Sequence, residues 1–194
     1  MIDTGFKRAN LHYQSGCRLM ESGQLAAAES EYRQAIAICP DLCWGYLGLG
    51  GLFLLQNQPE RAIATYEEAL EKTVAPELLE ALGLAWVAAG NARRGSFYFA
   101  SAAHHRGEYE TALRHYREFL QNQFENLEVS LALADCYQKL NRYREAIAIY
   151  RALIETLPTA TEPYIPLMAA LQETGKIETS RQEKHEVNPD QIGV

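Results

Sequence analysis

Residues 11–36 read LHYQSGCRLMESGQLAAAESEYRQAI, and residues 45–70 read GYLGLGGLFLLQNQPERAIATYEEAL. Laid over one another at an offset of 34 residues, they place Gly16, Ala28, Tyr32 and Ala35 on Gly50, Ala62, Tyr66 and Ala69. A second pair of stretches repeats at the same offset, with Gly107, Tyr109, Ala112 and Tyr116 recurring as Asn141, Tyr143, Ala146 and Tyr150. Each copy runs from a small residue to a large apolar one three later, then to a Gly or Asn at a break. Beyond the break come Ala, an aromatic four on, and a small or apolar residue after three more. Spacings of three and four put side chains on one stripe of an α-helix. Two stripes separated by a break make a helical hairpin.

A fixed 34-residue period of such hairpins resembles the tetratricopeptide repeat (TPR) family, here over roughly residues 9 to 180. One copy runs Ser15-Gly16, Leu19, Ala28, Tyr32, Ala35, Pro40, and the next Leu49-Gly50, Phe53, Ala62, Tyr66, Ala69. A third begins with Leu79, Leu82-Gly83 and Trp86 and breaks at Gly90. A late copy carries Leu133-Ala134, Tyr137, Asn141, Ala146, Tyr150, Leu153 and Pro158. The resemblance implies an all-α fold, a right-handed superhelical solenoid of antiparallel helix hairpins. The small residues would sit where paired helices approach closely, and the aromatics would fill the wedge between hairpins.

Periodicity, Gly and Pro divide the chain into about eleven helices. The expected spans are 10–22, 25–39, 42–56, 59–73, 76–89, 93–106, 108–121, 126–140, 143–156, 161–173 and 176–186. Gly23, Gly90, Gly107 and Gly175 suit the left-handed conformation that ends a helix, and Asn57 and Asn141 can substitute. Pro59 and Pro76 sit where a helix begins and no N–H is missed. Ala62 to Ala112 spans one repeat and a half, so half a repeat has been inserted or lost. The helix at 93–106 reads both as the second helix of one hairpin and as the first of the next. The defect is either a hinge or a tolerated irregularity. The organisation expected is a flexible N-terminus over 1–8, an N-terminal block over 9–92, a C-terminal block over 93–187 ending in a polar capping helix, and a disordered tail over 188–194. Pro166 is expected to cost the 161–173 helix a hydrogen bond.

The composition bounds the function. Of 194 residues, 47% are hydrophobic, and the formal net charge of −7 argues against general affinity for nucleic acid. No apolar run reaches the ~18 residues of a membrane span, and no secretory leader is evident at the N-terminus, so a cytoplasmic location is expected. The four cysteines are scattered. Cys39 and Cys43 straddle a helix junction at a spacing that permits a disulfide, whereas the lack of secretory features favours reduced thiols.

Chemical motifs are weak. Gly45, Gly48, Gly50 and Gly51 superficially resemble a phosphate-cradling loop. However, they lie inside the repeat register, with no preceding strand and no Lys-Ser/Thr after them. The three-residue spacing of Gly45, Gly48 and Gly51 instead suggests close approach by another backbone, from a neighbouring helix or from a ligand. His104, His105 and His115 could converge across a hairpin but lack further ligands in metal-binding arrangement. No catalytic set, metal site or cofactor is expected, and the chain is read as not an enzyme.

Family resemblance implies binding of a protein or peptide along the concave face lined by first helices. By register, the partner-binding groove would comprise Tyr13, Cys17 and Met20, then Trp44, Leu47, Gly51, Leu54 and Leu55, then Leu84 and Val87. By the same register Asn10 and Glu21 of the first hairpin and Glu77 and Glu80 of the third would also face the groove. The clamp of Lys, Arg and Asn with which some TPR proteins hold an acidic C-terminus would fall on Tyr13, Cys17, Gly48, Glu77 and Ala81. None of these is cationic, so that mode is not expected. A basic contact patch of Arg93, Arg94, Arg106, Arg114 and Arg117 is a second candidate. The reading is a non-catalytic adaptor, assembly factor or chaperone. The alternatives are a structural subunit of a larger assembly or homo-oligomer and, on a faint resemblance over Trp44 to Ala102, a chaperone like those of type III secretion translocators.

Overall fold

The computed structural model describes residues 4–120, 126–157 and 159–186, with side chains described as far as Gly175. Pro158 and the expected tail over 188–194 lie outside the described residues. The helices among them are α1 (Thr4–Glu21), α2 (Leu25–Ile38), α3 (Cys43–Leu55), α4 (Pro59–Leu70), α5 (Pro76–Ala88), α6 (Ala92–His105), α7 (Tyr109–Leu120), α8 (Leu127–Lys139), α9 (Tyr143–Thr156) and α10 (Tyr164–Glu186). No strand occurs among the described residues. The fold is all-α, built from helix hairpins.

Five tight turns share one geometry. Gly23, Asn57, Gly90, Gly107 and Asn141 all have φ between +58° and +82°. Their own N–H groups donate to Met20, Leu54, Val87, His104 and Gln138, three residues back. The N–H of each following residue (Gln24, Gln58, Asn91, Glu108, Arg142) reaches five residues back, to Leu19, Phe53, Trp86, Ala103 and Tyr137. All ten bonds measure 2.8–3.0 Å. This Schellman arrangement satisfies the last carbonyls of the first helix and reverses the chain. Asparagine serves twice because it tolerates positive φ better than other side chains do.

Gly175 does not behave this way. It is not among the positive-φ residues, and α10 runs through it from Tyr164 to Glu186. The two helices expected over 161–173 and 176–186 are therefore one, making ten described helices instead of eleven. An interior glycine costs a helix only about 0.5–1 kcal/mol, too little to end it without a turn to stabilise the break. Pro166 costs less than expected for a related reason. It is the third residue of α10, where its N–H would have no intrahelical partner, and its carbonyl accepts from Gln138 Nε2 at 3.2 Å.

The hairpins are held by one recurring contact. Gly16, Gly50 and Gly83 each lie under the ring found sixteen residues later, respectively Tyr32, Tyr66 and Phe99. A Cβ placed at Gly16 or Gly83 would stand only 2.7 Å from the ring, and one at Gly50 would overlap Tyr66 further. Ala100 and Tyr116, and Ala134 and Tyr150, keep the same spacing and are all buried. Tyr32 also meets Gly48 from α3, so a single ring ties the first hairpin to the second. Helix α1 neighbours α3, and α3 neighbours α5, which places the first helices side by side.

The half-repeat defect resolves at α6. Successive Schellman turns lie about one repeat apart except those at Gly90 and Gly107, which bound α6 alone. Helix α6 closes a hairpin with α5 through Gly83 and Gly95, where a Cβ on Gly95 would stand 3.0 Å from the Gly83 carbonyl oxygen. It opens another with α7, where Phe97 meets Phe119 at 5.6 Å and His104 Nδ1 lies 3.4 Å from the Tyr116 hydroxyl. The chain forms two compact units, Met1–Phe119 and Leu120–Val194. Helix α6 packs on both neighbours, α5 and α7. In the second unit α9 packs between α8 and α10. Helix α1 begins at Thr4, within the 1–8 stretch expected to be flexible, and Phe6 packs on Trp44 with ring centroids 5.7 Å apart.

The glycine contacts make opposite predictions at adjacent positions. Gly50→Val should overpack against Tyr66 and cost about 1–3 kcal/mol in urea denaturation. Gly51, with nothing within 4 Å of a Cβ, should gain roughly 0.5–1 kcal/mol as Gly51→Ala. Equal stability of the two variants would contradict the assignment.

Burial also predicts alkaline sensitivity. Desolvation pushes the phenols of Tyr66 and Tyr150 from 10.0 up to about 12, and the Cys136 thiol from 9.0 up to about 12. Raised acid groups confer stability below their ordinary values, and it is lost as pH climbs towards the folded values. Thermal melts should therefore fall steadily above about pH 9, and native Cys136 should resist alkylation until the chain unfolds.

Candidate partner-binding face

Helices α1, α3 and α5 present the residues that register assigns to the groove. Trp44, Leu55, Leu84 and Val87 are exposed at 39%, 64%, 53% and 44%. Apolar side chains this open usually mark contact surfaces when they cluster. Tyr13, Cys17, Met20, Leu47 and Leu54 are only half-buried, packed against the core of the first unit. A charge at Leu47 or Leu54 would therefore strike the core as well as the surface. Phe6, Tyr13 and Trp44 form an aromatic cluster between α1 and α3, with Tyr13 and Trp44 centroids 6.2 Å apart. Phe6 was missed by the sequence reading, although it continues the helical period seven residues before Tyr13.

The glycines of α3 divide by direction. Gly45 lies against Ile36 of α2, and Gly48 lies against Tyr32. Their close approach is to the neighbouring helix, and no gap is left beside Gly48 for a ligand. Gly51 alone faces open space, next to Leu55 and Leu54.

The chemistry around this face is polar only at its edges. The Tyr32 hydroxyl lies 3.6 Å from Cys17 Sγ and 3.9 Å from Met20 Sδ. Burial raises the Tyr32 phenol most, with the Cys17 contact and the charge of Glu21 adding to it. The Cys43 thiol is raised by burial and then by Glu77. All four cysteines are free. His104 and His115 turn to different partners, His115 Nδ1 lying 3.0 Å from Glu118. Among the described residues no group of three His, Cys, Asp or Glu is placed to hold a metal ion.

The arginines of the second candidate are spread out. Arg93 and Arg94 start α6 and Arg106 follows its far end, about 20 Å away along a helix of this length. Arg94 lies over the Trp86 ring at 4.4 Å. Arg93 lies 5.0 Å from the Phe119 ring and donates from Nε to the Phe119 carbonyl at 2.8 Å. Arg106 donates to Glu80 at 2.5 Å. Arg114 and Arg117 are exposed on α7. Cation–π contacts of this sort recur where no patch was expected, as with Arg61 over Phe53 at 3.8 Å.

Tetratricopeptide repeat models match residues 9–42, 47–95 and 103–172. The chain belongs to the tetratricopeptide repeat family. Residues 96–102, between the second and third matches, lie inside α6, where the half-repeat falls. TPR proteins are generally non-catalytic interaction modules, and the family supports a role in protein–protein interaction. Similar solved structures include the APC/C hetero-tetramer Cut9-Hcn1, at 14% identity and a TM-score of 0.41, covering 87% of this chain and 37% of that one. The TPR2AB-domain:pHSP90 complex of yeast Sti1 has 16% identity and a TM-score of 0.45, with coverage of 93% and 92%. Pseudomonas aeruginosa pilF has 15% identity and a TM-score of 0.42, with coverage of 99% and 96%. No curated protein matches the chain in sequence. Among the described residues no helix is long and apolar enough to cross a membrane.

Proposed function

We propose that this TPR chain is a non-catalytic protein-binding module, an adaptor, assembly factor or chaperone, that holds a peptide or helix of a partner on the face lined by α1, α3 and α5. The observation that carries the reading is the series Trp44, Leu55, Leu84 and Val87, exposed on adjacent first helices. Removing a large side chain of this kind from water is worth about 1.5–3 kcal/mol when burial is complete, so covering these side chains favours docking of an apolar partner segment. Gly51, open on the same helix as Leu55, lets a partner backbone approach. The Arg93, Arg94, Arg106, Arg114 and Arg117 set is a weaker candidate, because Arg93, Arg94 and Arg106 already engage rings, a carbonyl or a carboxylate.

A second reading, that of a subunit packed permanently against another chain or a second copy, draws on α10. Tyr164, Ile165, Met168 and Leu171 are exposed on that helix at 47%, 83%, 58% and 37%. Ile165, Met168 and Leu171 follow one another at spacings of three and, with Tyr164 four before Met168, form a second apolar stripe. A concentration series in analytical ultracentrifugation separates the readings: a lasting monomer supports the module, and an obligate oligomer the subunit.

The face itself is tested at its exposed positions. The double variant Leu55→Glu with Leu84→Glu should lose peptides selected against the parent from a random displayed library, while its far-UV circular dichroism stays helical. Undiminished binding by that folded variant would place the site elsewhere.

A further inference from the structure

One end of the binding face opens into a cavity that its apolar residues do not explain. An open space of about 160 Å³ lies among α5, α6 and α7, lined by Glu80, Phe99, Arg106, Glu108, Thr111 and His115. That is room for several water molecules, and so for the head of one charged side chain. Glu77, Glu80, Leu84 and Val87 follow one another at spacings of three, four and three on α5. The carboxylate at the cavity and the exposed apolar residues therefore share one helix face. Glu80 and Val87 are about 10 Å apart along the axis, a distance that a short peptide segment spans.

We propose that this cavity receives a lysine or arginine of the partner segment whose apolar residues lie along Leu84 and Val87. The inference rests on the binding face proposed above and specifies its occupant as an apolar segment bearing a cation. Charge complementarity carries it. Glu77, Glu80 and Glu108 all act on the single guanidinium of Arg106, whose hydrogen bond to Glu80 is the main cause of its raised pKa. Two of these carboxylates, Glu80 and Glu108, line the cavity against that one guanidinium, which leaves an excess of negative charge. His115 turns its Nδ1 to Glu118. Arg106 and Glu80 are 33% and 49% exposed, so their pair is open to exchange with an incoming cation. Arg106 then acts as a stand-in that the partner displaces. The Phe99 ring, which lines the same cavity, offers an aromatic face of the kind that attracts a cation.

The test uses the full chain and a random dodecapeptide library displayed on phage. Selected peptides should combine apolar residues with a lysine or arginine. A synthetic copy of such a peptide should bind roughly three- to tenfold more weakly to Glu80→Gln or Glu108→Gln, the scale of a half-exposed ion pair. It should bind more tightly to Arg106→Gln, where the competing cation is gone. Citrulline in place of its arginine, or norleucine in place of its lysine, should remove both effects. If basic residues are not enriched, or if the uncharged peptide binds as well while Leu84→Glu still blocks it, the cavity assignment is overturned and the face stands. If folded Leu84→Glu leaves binding intact, the face is wrong and the cavity assignment falls with it.

Discussion

A ring lying on a glycine is the contact on which the rest of this fold depends. Burying a large aromatic side chain is worth about 1.5–3 kcal/mol. The glycine that makes room for it costs its helix only about 0.5–1 kcal/mol. Ring burial wins at Gly16, Gly50 and Gly83, and α3 tolerates Gly48 and Gly50 for this reason, each lying against a tyrosine ring. Tyr32 extends the arrangement from hairpin to array, since Gly16 of α1 and Gly48 of α3 meet the same ring. The spacing of sixteen residues between small residue and ring then sets how the two helices of each hairpin align.

The same spacing explains how the chain absorbs half a repeat without a break in packing. Helix α6 carries a ring for the helix before it and a small residue for the helix after it: Phe99 lies on Gly83, and the adjacent Ala100 stands sixteen residues before Tyr116. Adjacent positions on a helix point about 100° apart, so the two partners take different faces. A Schellman turn at each end completes two hairpins from three helices. A repeat array in which each element touches only its neighbours can accommodate such a helix locally.

Arginine has two kinds of work in this protein. Near the hairpin turns it lies over first-helix aromatics, Arg61 on Phe53 and Arg94 on Trp86, covering apolar surface that would otherwise meet water. At the end of α6 it faces carboxylates instead, and there the acidic balance of the chain is felt. The face between these arginines is apolar in the middle and acidic at one end, the reverse of a cationic clamp for an acidic tail.

Much of this was legible in the chain itself. The 34-residue offset, the glycine–aromatic pairs and the Gly or Asn at each break determined the hairpins, because each of those residues does its work within one hairpin. The dual role of α6 was readable too, as two overlapping registers on one helix. What crosses between elements was not readable. Whether Gly48 opened to a ligand depended on where the Tyr32 ring swung, and whether five arginines formed one patch depended on what each one touched. Gly175 marked a possible helix end, but only a following turn could make it one, and none forms there. The cavity beside Glu80 gathers residues from three helices and from both of α6's hairpins. Local spacing specifies which side chains share a stripe. Only packing decides which stripes are covered, which stay open, and what charge stands at their ends.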